Sequence, residues 1–120
     1  MKEVYPYQPK GVVILDMIAD AQLTLEQESY SLAHSPQLWM QVQSHLEKQG
    51  VAFSKNRRSI RDDQHPFIQK KIPSILLIDL SYPYWHTHSD TIDKCSPQSL
   101  HQVGNALLSW LNEQDSKTKK

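Results

Sequence analysis

A single cysteine in 120 residues, Cys95, excludes an internal disulfide and lacks the paired spacing of a thiolate metal site. An excess of charge of one sign is missing too. Thirteen Lys and Arg balance 13 Asp and Glu, so nothing in the electrostatics favours nucleic acid or an anionic membrane surface. No apolar run approaches the roughly 18 residues that span a bilayer, and the opening Met1-Lys2-Glu3-Val4-Tyr5-Pro6-Tyr7 holds no hydrophobic signal core. The residues present carry no export signal, which on its own points to a cytoplasmic product. Also absent are a glycine-rich phosphate loop, a His-Glu-x-x-His helix and a Gly-x-Ser-x-Gly elbow, which disfavours nucleotide binding and serine hydrolase chemistry. What remains is a neutral chain of one-domain size, able by length alone to bury roughly two-thirds of its unfolded surface. Small, roughly neutral partners suit it better than polyanions.

Two apolar runs stand out. Val12-Val13-Ile14-Leu15-Asp16-Met17 and the stretch from Ser74 to Leu80 lack alternation, so each is read as a strand covered on both faces, as in a parallel sheet. Ser35-Pro36 offers an N-cap and an N1 proline, Trp39, Val42 and Leu46 recur at helical spacing, and Gly50 supplies a stop. A helix is predicted from about Pro36 to Gln49. Val51-Ala52-Phe53 reads as a short strand, followed by a solvated basic patch, Lys55-Asn56-Arg57-Arg58. Pro66 and Phe67 anchor a helical turn from Phe67 to Lys71 that ends at Pro73. Ser96-Pro97 repeats the cap-and-proline device, and Leu100, Val103, Leu107, Trp110 and Leu111 line one face of a final helix. The polar stretch from Ala19 to Ser35 is aperiodic and is read as loop, with residues 1–10 and 114–120 as poorly ordered ends. The order strand, helix, strand, loop, strand, helix defines a single α/β segment over residues 1–120, with ligand chemistry outside the carboxyl ends of its strands.

Asp16 and His86 each follow an apolar strand, so a shared sheet end brings a carboxylate and an imidazole together, a donor set that suits zinc. Both have plainer uses. A strand-end aspartate commonly caps a helix or satisfies loop amides, and a histidine beside Trp85 also arises as packing at a loop base. His88 extends the pair to His-x-His only if both side chains point one way. Asp62-Asp63 is the remaining carboxylate pair, either a proton carrier with one raised pKa or an ordinary acidic turn. His34, His45, His65 and His101 lack ligand-like spacing and are read as surface or partly packed residues.

Taken in order, these segments resemble the co-catalytic zinc aminopeptidases and their relatives the glutaminyl-peptide cyclotransferases. The matching pieces are Ile14-Leu15-Asp16-Met17-Ile18 with Asp20, then Asp62-Asp63 leading to Pro66-Phe67 and Ile72-Pro73. They continue with Tyr84-Trp85-His86-Thr87, Asp90-Thr91-x-Asp93-Lys94 and Ser99-Leu100-x-x-Val103-Gly104, spanning Gly11 to Leu111. The resemblance implies a partial three-layer α/β/α sandwich of the zinc-exopeptidase (phosphorylase/hydrolase-like) type, with one or two zinc ions in a complete enzyme. It implies that His86 is a zinc ligand, that Trp85 lines the substrate pocket and that Asp62 joins the active-site hydrogen-bond network. For Asp16 it implies metal ligation in the aminopeptidases and a place in the proton-handling network in the cyclases.

The sequence departs from that pattern at Gln64, where relatives carry histidine. The family's bridging aspartate, general-base glutamate and adjacent metal-binding glutamate lie before the segment matching Asp16, where only 15 residues stand here. The chain therefore resembles the C-terminal half of such an enzyme. The expectation is a zinc metallopeptidase-like protein that hydrolyses N-terminal peptide bonds, incomplete and inactive alone. Glutaminyl-peptide cyclisation is the alternative, and a non-catalytic fragment or partner-binding module is the third reading. The implied partners are a peptide or amino-acid substrate, and either the missing N-terminal half or a second copy to cover an open sheet edge.

Overall fold

The computed structural model describes residues 10–80, 88 and 91–118. β1 (Val12–Asp16) and β4 (Ser74–Ile78) pair in parallel, with Val12 opposite Ser74 and Asp16 opposite Ile78. A second parallel pair joins β2 (Thr24–Glu28) to β3 (Ala52–Arg58), its register shifting between Leu25 and Gln27. The Thr24 amide donates to the Asp79 carboxylate at 3.1 Å, and the Leu76 amide donates to the Ser31 hydroxyl at 2.9 Å. β2 and the short helix α1 (Ser29–His34) therefore run back along β4 from its carboxyl end.

The stretch from Ala19 to Ser35 is thus not loop, as its polar composition suggested, but holds β2 and α1. The reason lies in the side chains of Thr24-Leu25-Glu26-Gln27-Glu28, where two acids are buried alongside one leucine. Glu28 is fully buried because its carboxylate caps α1, accepting from the amides of Tyr30 and Ser31. Hydrophobic periodicity cannot register a strand whose buried residues include a carboxylate satisfied by neutral donors, as Glu28 is.

α2 (Pro36–Lys48) forms where its cap, proline and apolar spacing place it, and Trp39, Val42 and Leu46 are buried. Ser35 does not cap it through its side chain. The Ser35 carbonyl accepts from the Trp39 amide, while its hydroxyl accepts from the amide of Ser74 and so ties the helix start to the start of β4. Gly50, at φ 84°, takes the left-handed conformation that ends the helix and leads into Val51. The basic residues Lys55 to Arg58 lie on β3 and are exposed, so the strand is longer than its apolar start suggested.

α3 (His65–Gln69) begins two residues before the predicted turn and is closed by Lys71, at φ 61°. α4 (Pro97–Thr118) packs on α2. Its last turns are held by the indole N–H of Trp110 and the amide of Gln114, both donating to the Gln41 side-chain oxygen. His45 of α2 meets Glu113 at 3.1 Å. The inward face of α4 is centred on Val103 and Ala106, leaving Leu100 and Leu111 largely exposed.

The core formed by α2, α4, β2 and β4 contains Leu25, Trp39, Val42, Leu46, Ile75, Leu77 and Val103, with Phe53 edge-on to Trp39 at 5.9 Å between ring centres. All five residues of β4 are buried. β1, by contrast, is only partly covered, and Leu15 is 42% exposed, against the expectation of cover on both faces. Among the described residues β1 pairs with β4 alone, which leaves its other edge open. No helix among the described residues is long and apolar enough to cross a membrane.

Candidate active site

Asp16 ends β1 beside Ile78, and the residue after it, Met17, adopts a left-handed backbone with φ 55°. For a residue with a side chain that conformation costs about 1–2 kcal/mol. The chain breaks from strand geometry there, so Asp16 is the last side chain the strand positions.

Its carboxyl group is hydrogen-bonded to that of Asp62. That bond, together with partial burial and the negative charges of Asp62 and Asp63, raises the Asp16 pKa from the ordinary 3.8 to about 6. Two carboxyl groups make such a bond only while a proton lies between them. The sequence offered Asp16 and Asp62 as separate candidates; the fold brings them together.

Asp62 is set in the bend that enters α3. Its N–H donates to the side-chain oxygen of Gln64 at 3.0 Å and its carbonyl accepts from the His65 amide at 3.0 Å. Its carboxylate also accepts from the Asp63 amide at 2.7 Å. Gln64 is fully buried and donates through its side-chain amide to Glu28 at 3.1 Å and to the Ile60 carbonyl at 2.7 Å. The departure from the family pattern at position 64 is therefore a packed, fully hydrogen-bonded residue.

Asp79, one residue beyond β4, is a buried carboxylate that escaped the sequence reading. Its signal was an acid embedded in the apolar run Ile75-Leu76-Leu77-Ile78-Asp79-Leu80. Glu28 and Gln64 carried no such signal, because their importance comes from tertiary hydrogen bonds.

Other matching residues have local roles. Asp20 forms an antiparallel bridge with Cys95, the Ser99 hydroxyl donates to the Asp20 carbonyl at 2.5 Å, and the Ser96 amide donates to the Ala19 carbonyl at 2.7 Å. These bonds tie the start of α4 to the chain leaving β1. Asp93 is exposed, and its bonds with Lys94 and Thr91 lower its pKa to about 2. Trp85 and His86 lie outside the described residues.

Among the described residues no group of three His, Cys, Asp or Glu is arranged to hold a metal ion. The described donors, Asp16 with Asp62 and Asp63 beside it, do not by themselves make up a zinc ligand set. A cavity of about 730 Å³ lies elsewhere, at the amino ends of β1 and β4, lined by Gly11, Leu38, Pro73 and Trp110 among others. Neither Asp16 nor Asp62 lines it.

The α/β fold is what the comparisons with known proteins share. Residues 7–111 match peptidase family M28, and the chain belongs to that family. It is similar to a glutaminyl cyclase from Fimbriiglobus ruber, at 34% identity and a TM-score of 0.81, over 88% of this chain and 37% of that one. A leucine aminopeptidase precursor from Bacteroides thetaiotaomicron matches at 28% identity and a TM-score of 0.73, over 88% of this chain and 38% of that one. A Zn-dependent exopeptidase from Parabacteroides distasonis, 24% identical, shares the fold with a TM-score of 0.72, over 88% of this chain and 40% of that one. The chain thus spans about two-fifths of the length of these structures.

Proposed function

We propose that this chain supplies the carboxyl-terminal part of a metallopeptidase-like site that acts on the amino-terminal residue of a peptide. The observation that carries this reading is the hydrogen-bonded Asp16–Asp62 pair at the end of β1, a group able to take up and release a proton near neutral pH. In the hydrolytic reading the pair serves proton transfer during cleavage of the first peptide bond. Cyclisation of an N-terminal glutamine is the second reading, and two observations favour it. Asp16 is engaged with another carboxyl rather than presented as an open ligand, and the chain is 34% identical to a glutaminyl cyclase.

Zinc is the cofactor named for one similar structure, and His86 is the residue of this chain that would hold it. Bound zinc would polarise the substrate carbonyl. Trp85 would pack against the N-terminal residue, and further polypeptide would cover the open edge of β1 and complete the ligand set. Alone, the 120-residue chain is the inert piece that the third reading describes.

The test has two parts. Zinc stoichiometry and turnover of leucyl and glutaminyl fluorogenic amides are measured on the purified chain, where little of either is expected. Stoichiometric zinc with turnover that disappears in His86→Ala would overturn its incompleteness. The chain is then grafted in place of the matching part of the Fimbriiglobus ruber protein. The chimera should turn over one of the two amides and lose that turnover in Asp16→Asn. A folded, active chimera indifferent to Asp16→Asn would sink the assignment of the pair.

A further inference from the structure

Two like-charged side chains do not stay together unless the surrounding chain holds them, and the hydrogen bonds around Asp62 show what holds it. The Glu28 carboxylate, fully buried, accepts five bonds from neutral donors. These are the amides of Tyr30 at 2.8 Å, Ser31 at 2.9 Å and Ile60 at 3.1 Å, the Ser31 hydroxyl at 2.8 Å and the Gln64 side-chain amide at 3.1 Å. The Ser31 hydroxyl in turn accepts from the Leu76 amide in the middle of β4.

This arrangement fixes which way Gln64 points. Its NH2 group faces two acceptors, Glu28 and the Ile60 carbonyl, so its oxygen is left to receive the Asp62 amide. A continuous line of bonds runs from β4 through Ser31, Glu28 and Gln64 to the backbone of Asp62. Because Gln64 also grips Ile60, it clamps the three-residue approach to Asp62 from both ends. Gln64 donates two bonds and accepts one, so position 64 needs donor and acceptor on a single side chain, a requirement that glutamate, alanine and leucine fail.

Building on the assignment of the Asp16–Asp62 pair, we propose that Gln64, anchored by Glu28, is a positioning residue that sets the carboxyl group of Asp62 against that of Asp16. It touches neither carboxyl and acts through the main chain of Asp62. Ordinary packing of Gln64 would contribute stability and nothing more.

The proposal is tested by NMR on the 120-residue chain without metal. In the wild type, the Asp62 amide should exchange about tenfold or more slowly than in an unstructured peptide, and exchange at the unstructured rate would overturn the clamp. At one fixed pH, the side-chain carboxyl carbon of Asp16 is then followed in Asp62→Ala, Gln64→Glu, Gln64→His and Val42→Ala. Gln64→Glu should shift that resonance in the same direction as Asp62→Ala. Gln64→His, which keeps one donor and one acceptor, should preserve the wild-type position, and Val42→Ala should lower Tm without moving it. An unmoved Asp16 signal in Gln64→Glu, with Asp62→Ala shifted, would overturn the positioning role. An Asp16 signal indifferent to Asp62→Ala would instead overturn the carboxyl pair on which the proposal rests.

Discussion

A carboxyl group whose pKa is raised by folding leaves a mark on stability. Asp16 goes from 3.8 to about 6, so between those values the folded protein keeps a proton that the unfolded chain has released. Stability contributed by this group is therefore fully present below the unfolded value, is lost as pH rises through the window, and stays lost above about 6. In metal-free protein, Asp16→Asn should gain in Tm over the wild type as pH rises from 4 to 6, and the difference should then level off. A pH-independent difference would show that Asp16 titrates normally. Glu28 belongs to a different category, because truncating it strands five donors in the interior. Glu28→Ala should cost about 3 kcal/mol or more by urea denaturation, well above the value for an exposed acid such as Glu47. Asp16 was legible in the sequence because an apolar strand announces what stands at its end. Asp62 was legible as half of an acidic pair, but its partnership with Asp16 was not, since it joins positions 46 residues apart. Glu28 and Gln64 were invisible because no spacing rule describes a buried glutamine that bridges a strand end and a loop.

At the scale of elements, local chemistry was decisive where caps and periodicity coincided. α2 and α4 carry proline at the first turn and apolar residues on the inward side, and both lie where the sequence put them. β2 and α1 failed that reading because their buried positions include Glu28 and Ser31, whose burial is governed by hydrogen bonding rather than by apolar area. α3 is stopped by a device that the sequence conceals, a lysine in the position that usually holds glycine. Lys71 has φ 61°, is exposed, and its amide bonds the Ile68 carbonyl to finish the helix. Lys71→Gly should relieve the left-handed strain and stabilise the protein by about 0.5–1 kcal/mol, read as a higher urea midpoint at unchanged slope. The converse holds after α2, where Gly50 already supplies φ 84°. Gly50→Ala should cost about 1 kcal/mol. Finding the same sign for both substitutions would mean that left-handed backbone is not what limits these two helix ends.

For the whole molecule, the contrast between β4 and β1 carries the argument. β4 is buried along its length, whereas β1, among the described residues, offers an apolar strand with one unpaired edge and an exposed leucine. Such an edge is a template for another strand, and soluble proteins usually protect it with charge, proline or a covering element. Val12-Val13-Ile14-Leu15 has none of the first two. Cover from another chain segment is consistent with a match to only about two-fifths of the similar structures. The isolated chain should therefore associate in a concentration-dependent way at micromolar levels, measured by sedimentation velocity. Leu15→Lys places a charge on the exposed position, where substitution should alter folding stability by no more than about 0.5 kcal/mol. It should shift the chain toward monomer while Tm at low concentration stays unchanged. A wild type that remains monomeric throughout the range would show that β1 needs no partner. Association that persists in Leu15→Lys would move the contact away from β1, to the other apolar surface that the fold leaves open, around Leu108 and Leu111 of α4.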